Sequence, residues 1–394
     1  MGAAGSCLGS CLGSCASASC CALALSGRTG TPKASRCLLA WLQAFTVVLS
    51  LLLAWQPEAW LPGLCKGLDW VAADVGVCAC QAAGDGCWGP QLVYRAQASA
   101  VLVYLLLMCL VMSGCGAAAA HEYPVLKFFM VLGITAAFLF FPNGAFSGFG
   151  AFAGVASASF LVAQTVLLID VAYTWNESWF RHGLEARRAR FSGQEMNGWM
   201  AAILAASAAL LICAVAGSIH IWAAWPRAWW LVALALLISL VLLLVSITDW
   251  CQHGALLTSC VVAAYAVWLC YEAVDTLPEN ADSGALHMKV KWLGLLVCGC
   301  SLTAFAFMPS LGSTAATEGA LPLAEGDAAT ADVNVTDYFG QCAVHAAAAV
   351  YVAAALAPVA SWATFTSRAI TVFLSLALYL WTLVAPMILT GRTF

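Results

Sequence analysis

Long apolar runs separated by short polar stretches set the rhythm of this chain from residue 37 almost to its end. A helix needs about 20 mostly apolar residues to cross a hydrocarbon core of about 30 Å. By that measure the pattern predicts spans at Cys37–Trp55, Val93–Cys115, Val125–Phe141, Gly148–Trp175, Trp199–Trp222, Trp229–Ile247, Ala255–Tyr271, Val290–Met308, Phe339–Val359 and Ala369–Leu389. The runs are continuous rather than alternating, which selects helices over barrel strands. The expected fold class is all-α: a polytopic membrane protein with about ten transmembrane helices. Trp41, Trp55, Trp175, Trp199, Trp222, Trp229, Trp292 and Trp381 fall near proposed ends, as an interfacial aromatic belt requires. The fourth run is too long for a perpendicular crossing, so it should tilt or kink near Gly150 or Gly154. The third and seventh are short, which leaves a margin of one on the count.

Composition removes the soluble alternative. Of 394 residues, 63% are apolar and 9% charged, against roughly 45–50% and 25% in an ordinary soluble domain. The formal net charge is −4 with no long basic run, so a nucleic-acid partner is not expected. Membrane lipids are the expected partners, with a homo-oligomer or a larger membrane complex left open. With this span count both termini share one side. That side carries Arg28, Lys33, Arg36, Lys127, Arg181, Arg187, Arg188, Arg190 and Arg392; the other carries Lys66, Arg95, Arg227, Lys289, Lys291 and Arg368. The excess, with the cluster Arg181–Arg190 in a short loop, places both termini in the cytoplasm of an endomembrane or plasma-membrane protein. The sequons Asn176-Glu177-Ser178 and Asn334-Val335-Thr336 then face the cytoplasm.

The segments outside the spans are small. Residues 1–36 are rich in Gly, Ala, Ser and Cys and lack the basic n-region of a signal peptide; residues 37–394 form the transmembrane domain. Its largest far-side loop is 56–92. The stretch 310–338 holds Glu318, Glu325, Asp327, Asp332 and Asp337 with no Lys or Arg, and reads as an acidic cytoplasmic loop. Cys65, Cys78, Cys80 and Cys87 lie in the far-side loop, where oxidation is permitted. Disulfides are the expected use; four cysteines allow three pairings, and sequence does not choose among them. A zinc site would want His or C-x2-C pairs, which the loop lacks. Cys109, Cys115, Cys213, Cys260, Cys270, Cys298 and Cys300 sit in or at the ends of spans, as small apolar residues that let helices approach. Met1-Gly2-Ala3-Ala4-Gly5-Ser6 fits the M-G-x-x-x-S/T pattern for N-myristoylation at Gly2, and Cys7, Cys11 and Cys15 follow at helical spacing as candidates for S-acylation. Low-complexity drift explains the same stretch equally well.

Catalytic patterns are missing. No G-x-x-x-x-G-K-S/T loop, H-E-x-x-H pair or G-x-S-x-G elbow occurs, and His121, His182, His220, His253, His287 and His345 have no metal-ligand spacing. An enzyme, a cofactor and a metal are therefore not expected, and any transport should run downhill. One acidic residue lies inside a span: Asp170, about 7 Å from the Trp175 end. A carboxylate there costs a few kcal/mol and normally faces protein or water. It is read either as a polar notch for a headgroup or ion, with Tyr173, Thr174, Asn176 and Glu177 beside it, or as half of an ion pair with Arg95 or Lys127.

The segment Leu167-Leu168-Ile169-Asp170-Val171-Ala172-Tyr173-Thr174-Trp175-Asn176-Glu177-Ser178-Trp179 resembles a signature of the serine incorporator family. In the same order, Leu61-Pro62-Gly63-Leu64-Cys65 resembles its first exoplasmic loop, Val93-Tyr94-Arg95 the start of its second span, and Phe141-Pro142-Asn143-Gly144-Ala145-Phe146-Ser147 the turn before its fourth. Tyr379-Leu380-Trp381-Thr382-Leu383-Val384-Ala385-Pro386-Met387-Ile388-Leu389-Thr390 resembles its C-terminal signature. This chain departs in its short acidic loop, its high Ala content and the entrance Asp337-Tyr338-Phe339-Gly340 to the ninth span. The resemblance implies two helical bundles joined by a long diagonal helix. It also implies a role in lipid homeostasis: ATP-independent phospholipid scrambling or transport, or a serine carrier or scaffold for phosphatidylserine and sphingolipid synthesis. A structural or accessory subunit of a larger assembly is the reading from a different class.

Overall fold

The computed structural model describes residues 32–55, 57–67, 76–80, 87–112, 124–189, 198–248, 255–280, 294–302 and 335–388. Among them the regular structure is helical: α1 (Pro32–Ala54), α2 (Pro57–Gly67), α3 (Trp88–Met112), α4 (Pro124–Phe138), α5 (Asn143–Ala189), α6 (Gly198–Ala224), α7 (Trp229–Ile247), α8 (Leu256–Val274), α9 (294–302), α10 (Val335–Leu356) and α11 (Trp362–Ile388), with short 3-10 turns at Gly76–Ala79, Pro226–Ala228 and Pro278–Asn280. Eight of the described helices are long and apolar enough to span a bilayer, and α4 adds a shorter apolar one. The expected span 290–308 is described only as α9, and the expected lipidation sites Gly2, Cys7, Cys11 and Cys15 and the stretch 310–334 lie outside the described residues. Outward-facing Leu237, Leu244, Ile247 and Ile370 are well exposed, as lipid-facing side chains should be.

The chain divides into two compact units, one made of residues Met1–Phe160 with Lys289–Pro358 and the other of Leu161–Met288 with Val359–Phe394. In the first unit α3 is central, packed by α1, α4 and α10. Leu39, Leu42, Ala100, Val103, Val131, Ala346 and Ala349 form its apolar core. Alanines at 346 and 349 keep α10 slim enough for close approach to α3. In the second unit α8 is the enclosed helix, packed by α6, α7 and α11. Hydroxyl contacts stitch that unit together. Ser259 Oγ lies 2.8 Å from Ser246 Oγ and 2.6 Å from Tyr379 Oη, and Thr165 Oγ1 lies 2.7 Å from Ser375 Oγ. Each such bond between helices in lipid contributes about 0.6–2 kcal/mol. Deep in the same unit Arg368 Nη1 donates to Glu272 Oε2 at 2.8 Å.

Two expectations change. First, the fourth element outruns its expected bounds of 148–175: α5 is continuous for 47 residues, a rise of about 70 Å, more than twice the hydrocarbon thickness. No helix break occurs at Gly150 or Gly154. Gly150 instead makes room for Tyr94: a Cβ there would meet the ring carbons Cζ and Cε2 at 2.5 and 2.8 Å. Second, the basic residues from Arg181 to Arg188 are not in a loop. They ride on the last turns of α5, which continues because no proline interrupts it and because Glu177–Arg181 (3.5 Å) and His182–Glu185 (3.6 Å) pair along its surface.

Candidate functional site

Two groups of polar side chains stand out, one in each unit. The first lies where α3 begins. Tyr94 Oη donates to Ala357 O at 2.7 Å, one residue past the end of α10. Its neighbour Arg95, fully buried, closes the end of α4. Arg95 Nε donates to Phe138 O (2.9 Å), and Nη2 donates to Phe141 O (3.1 Å) and Asn143 Oδ1 (2.6 Å). Nη1 donates to Gln91 O (3.0 Å) and Gln91 Oε1 (2.8 Å), while the guanidinium carbon sits 4.4 Å from the centre of the Phe146 ring. A helix end exposes carbonyls that nothing in the helix satisfies. Here consecutive residues of α3 satisfy those of two neighbouring helices. This use of Arg95 replaces the expected ion pair with Asp170, because its five donor contacts go to Gln91, Phe138, Phe141 and Asn143.

The cysteine-bearing segment docks on the same place. Cys65 is bonded to Cys78 and Cys80 to Cys87, which resolves the pairing left open by the sequence. Gly76 adopts a left-handed φ of +75°, and any Cβ would run into Leu139 O. That close approach lets Val77 N–H donate to Leu139 O at 3.0 Å. Asn143 Nδ2 reaches Cys80 Sγ at 3.5 Å, and Gln91 Nε2 donates to Ser147 Oγ at 2.9 Å. Asn143 was quoted in the sequence only as part of a motif, and Arg95 as a motif residue, a far-side charge and a candidate partner of Asp170; a charged residue just inside the expected span from Val93 was the signal for Arg95.

The second group is the stripe at Asp170. Asp170, Tyr173, Thr174 and Glu177 follow at three- and four-residue steps and so share one face of α5; Asn176 lies to the side. Asp170, Thr174 and Glu177 are exposed, and Tyr173 and Asn176 are half-buried. Among the described residues Asp170 has no hydrogen-bond or ion-pair partner. Lys127, the other basic partner expected for it, is itself buried and engaged. Beyond the stripe, Trp175 and Trp179 meet edge to face at 5.2 Å, and Trp199 of α6 lies 6.1 Å from Trp179 and 5.2 Å from the His182 ring. These rings fasten the end of α5 to α6 and leave the carboxylate outside the contact.

Eight long apolar helices among the described residues, with a buried arginine clasp in the first unit and a polar stripe on α5, define a multi-pass integral membrane protein. The sequence model described as Serine incorporator (Serinc) matches residues 8–313, and the chain belongs to that family. It is 28% identical over 209 residues to serine incorporator 2 of Bos taurus, covering 49% of this chain and 44% of that protein. A probable serine incorporator of Nematostella vectensis is 24% identical over 238 residues, covering 55% and 50%. Serine incorporator 3 of Mus musculus is 26% identical over 181 residues, covering 43% and 37%. The aligned part thus spans half or less of each of these relatives.

Proposed function

We propose that this protein moves phospholipids passively between leaflets, with the α5 stripe of Asp170, Tyr173, Thr174 and Glu177 as the path for the headgroups. The observation that carries the reading is Asp170: an exposed carboxylate on a long apolar helix, with no protein partner among the described residues. A charge in that setting persists where water or a polar headgroup solvates it. Headgroups would follow the stripe while the acyl chains stay in lipid, and no covalent chemistry or nucleotide is required. Both termini are assigned to the cytoplasm on the Lys and Arg distribution. The name serine incorporator borne by the relatives favours a second reading, a carrier or scaffold for serine.

A lipid-flip assay tests the proposal. Purified protein is reconstituted in liposomes with a fluorescent phospholipid, and a membrane-impermeant reductant quenches the outer leaflet. Scrambling exposes both leaflets, so quenching proceeds well beyond the half that an inert vesicle allows. Asp170→Asn keeps the shape and removes the charge. It should lower the flip rate while the melting temperature stays constant or rises, since Asn is cheaper to hold in lipid. An inert wild-type protein refutes scrambling. A wild-type rate in Asp170→Asn removes the stripe from the path.

A further inference from the structure

The interior of the first unit contains more polar groups than its own bonds satisfy. Gln43, Thr46 and Ser50 lie on one face of α1 and are buried. Gln97 Nε2 of α3 donates to Thr46 O (3.2 Å) and Ser50 Oγ (2.7 Å), and Thr46 Oγ1 donates to Gln43 O (2.8 Å). Tyr104 Oη, two turns along α3 from Gln97, donates to Gln43 Oε1 (3.1 Å). The Tyr104 ring lies 5.7 Å from the ring of His345 on α10, whose Nδ1 is 2.8 Å from Gln341 O.

Four buried atoms of this chain of contacts have no hydrogen-bond partner among the described residues: Gln43 Nε2, Gln97 Oε1, Gln341 Oε1 and His345 Nε2. Their chemistry is asymmetric. A backbone carbonyl only accepts, so His345 Nδ1 carries the proton and Nε2 of the neutral ring accepts. The four are therefore three acceptors and one amide donor, in an apolar surround that includes Leu39, Leu42, Val103 and Ala346. Unpaired, each would weaken the fold.

We infer that this cluster is a binding site for ordered water, held at the centre of the first unit between α1, α3 and α10. Three neutral acceptors repel an anion. The amide donor and the lack of a carboxylate among the four disfavour a metal cation. Water supplies two donors, accepts from the amide, and commonly makes about three bonds to buried groups that lack other partners. It joins the Gln97–Thr46–Gln43–Tyr104 relay to the His345–Gln341 pair, so three helices share one hydrogen-bonded seam. That seam fixes their register where apolar packing alone would allow sliding.

Radiolytic hydroxyl-radical footprinting of the full chain in nanodiscs tests this, because bound water generates radicals beside the side chains that hold it. Tyr104 and His345, though buried, should oxidise several-fold faster than Tyr351, which is equally buried but stacked on Phe160 at 5.2 Å. Gln341→Met removes an orphan acceptor and no side-chain bond among the described residues. With water present it should lower the unfolding midpoint and slow labelling of Tyr104 and His345. Labelling no faster than Tyr351 overturns the inference, even if the variant fails to fold. So does a Gln341→Met protein that is equally or more stable with unchanged labelling, since replacing an orphan acceptor in a dry site by an apolar side chain relieves strain.

Discussion

Arg95→Met should be among the most damaging single changes in the first unit. Methionine fills much of the same volume but donates nothing. Besides Gln91 O within α3, four acceptors outside that helix's backbone then lose the guanidinium: Phe138 O, Phe141 O, Asn143 Oδ1 and Gln91 Oε1. Phe138 O keeps one bond, from Phe141 N at 3.2 Å, whereas Phe141 O has no other backbone donor among those described. At about 1 kcal/mol per buried acceptor, the low end for such groups, the loss is about 4 kcal/mol. The cation–π contact with Phe146 adds about 0.5–1 kcal/mol. Against this, methionine avoids the desolvation of a charge whose partners, backbone carbonyls and the amides of Gln91 and Asn143, are neutral. Arginine is the more weakly hydrated of the basic side chains, so the offset does not cancel the loss. A net destabilisation of about 3 kcal/mol is expected, and Arg95→Lys should fall between, because an ammonium has three donors and no planar fork. Denaturant titration in mixed micelles measures both variants. The Cys80–Cys87 disulfide provides a second readout through its rate of reduction, followed by alkylation of the released thiols, since Asn143 links Cys80 to the clasp. An Arg95→Met protein within about 0.5 kcal/mol of wild type, or a lysine variant equal to it, would refute the claim that the fork closes α4.

Mass spectrometry of unreduced protein should yield peptides joined as Cys65–Cys78 and Cys80–Cys87; freely alkylated thiols at these positions would contradict both pairs and the far-side placement. Gly150→Ala should destabilise by about 1–3 kcal/mol through collision with the Tyr94 ring, whereas Gly148→Ala, with nothing within 4 Å of its Cβ, should be neutral or stabilising by about 0.4–1 kcal/mol. Equal effects at the two glycines would refute the packing account. Asn176 and Asn334 should remain unglycosylated in a eukaryotic secretory membrane, and a glycan on either would reverse the proposed orientation.

Helices were legible because lipid imposes one rule, apolar length, and the runs obey it with few exceptions. Boundaries were less legible where polar contacts decide them. The third run reads as apolar through Phe141, yet α4 stops at Phe138, because Arg95 and Val77 take the carbonyls at its end before the chain turns at Pro142. The fourth run reads as ending at Trp175, yet α5 continues to Ala189 on ion pairs and edge-to-face rings that hydropathy does not register. The disulfide pairing was closed to sequence since it depends on where Gly76 lets the loop settle against α4. Gln43, Gln97 and His345 gave no signal either: an isolated polar residue in an apolar run looks the same whether its atoms are paired or orphaned.

The segments that resemble the family divide by what the structure makes of them. Tyr94 and Arg95 close two helix ends, the Phe141–Ser147 turn supplies acceptors to that closure, and Tyr379 of the C-terminal segment contacts Ser259 in the core of the second unit. Packing accounts for those residues. Within the block from Leu167 to Trp179, packing accounts for Leu167, Ile169 and Ala172, which are buried, and for Trp175 and Trp179, which meet edge to face. It does not account for Asp170 or Thr174, which are exposed, and in lipid an exposed carboxylate is destabilising rather than neutral. A residue that packing explains tests the fold when it is changed, and one that the fold bears at a cost tests activity. For that reason the clasp at Arg95 is probed by stability and Asp170 by lipid movement, and the two experiments fail independently.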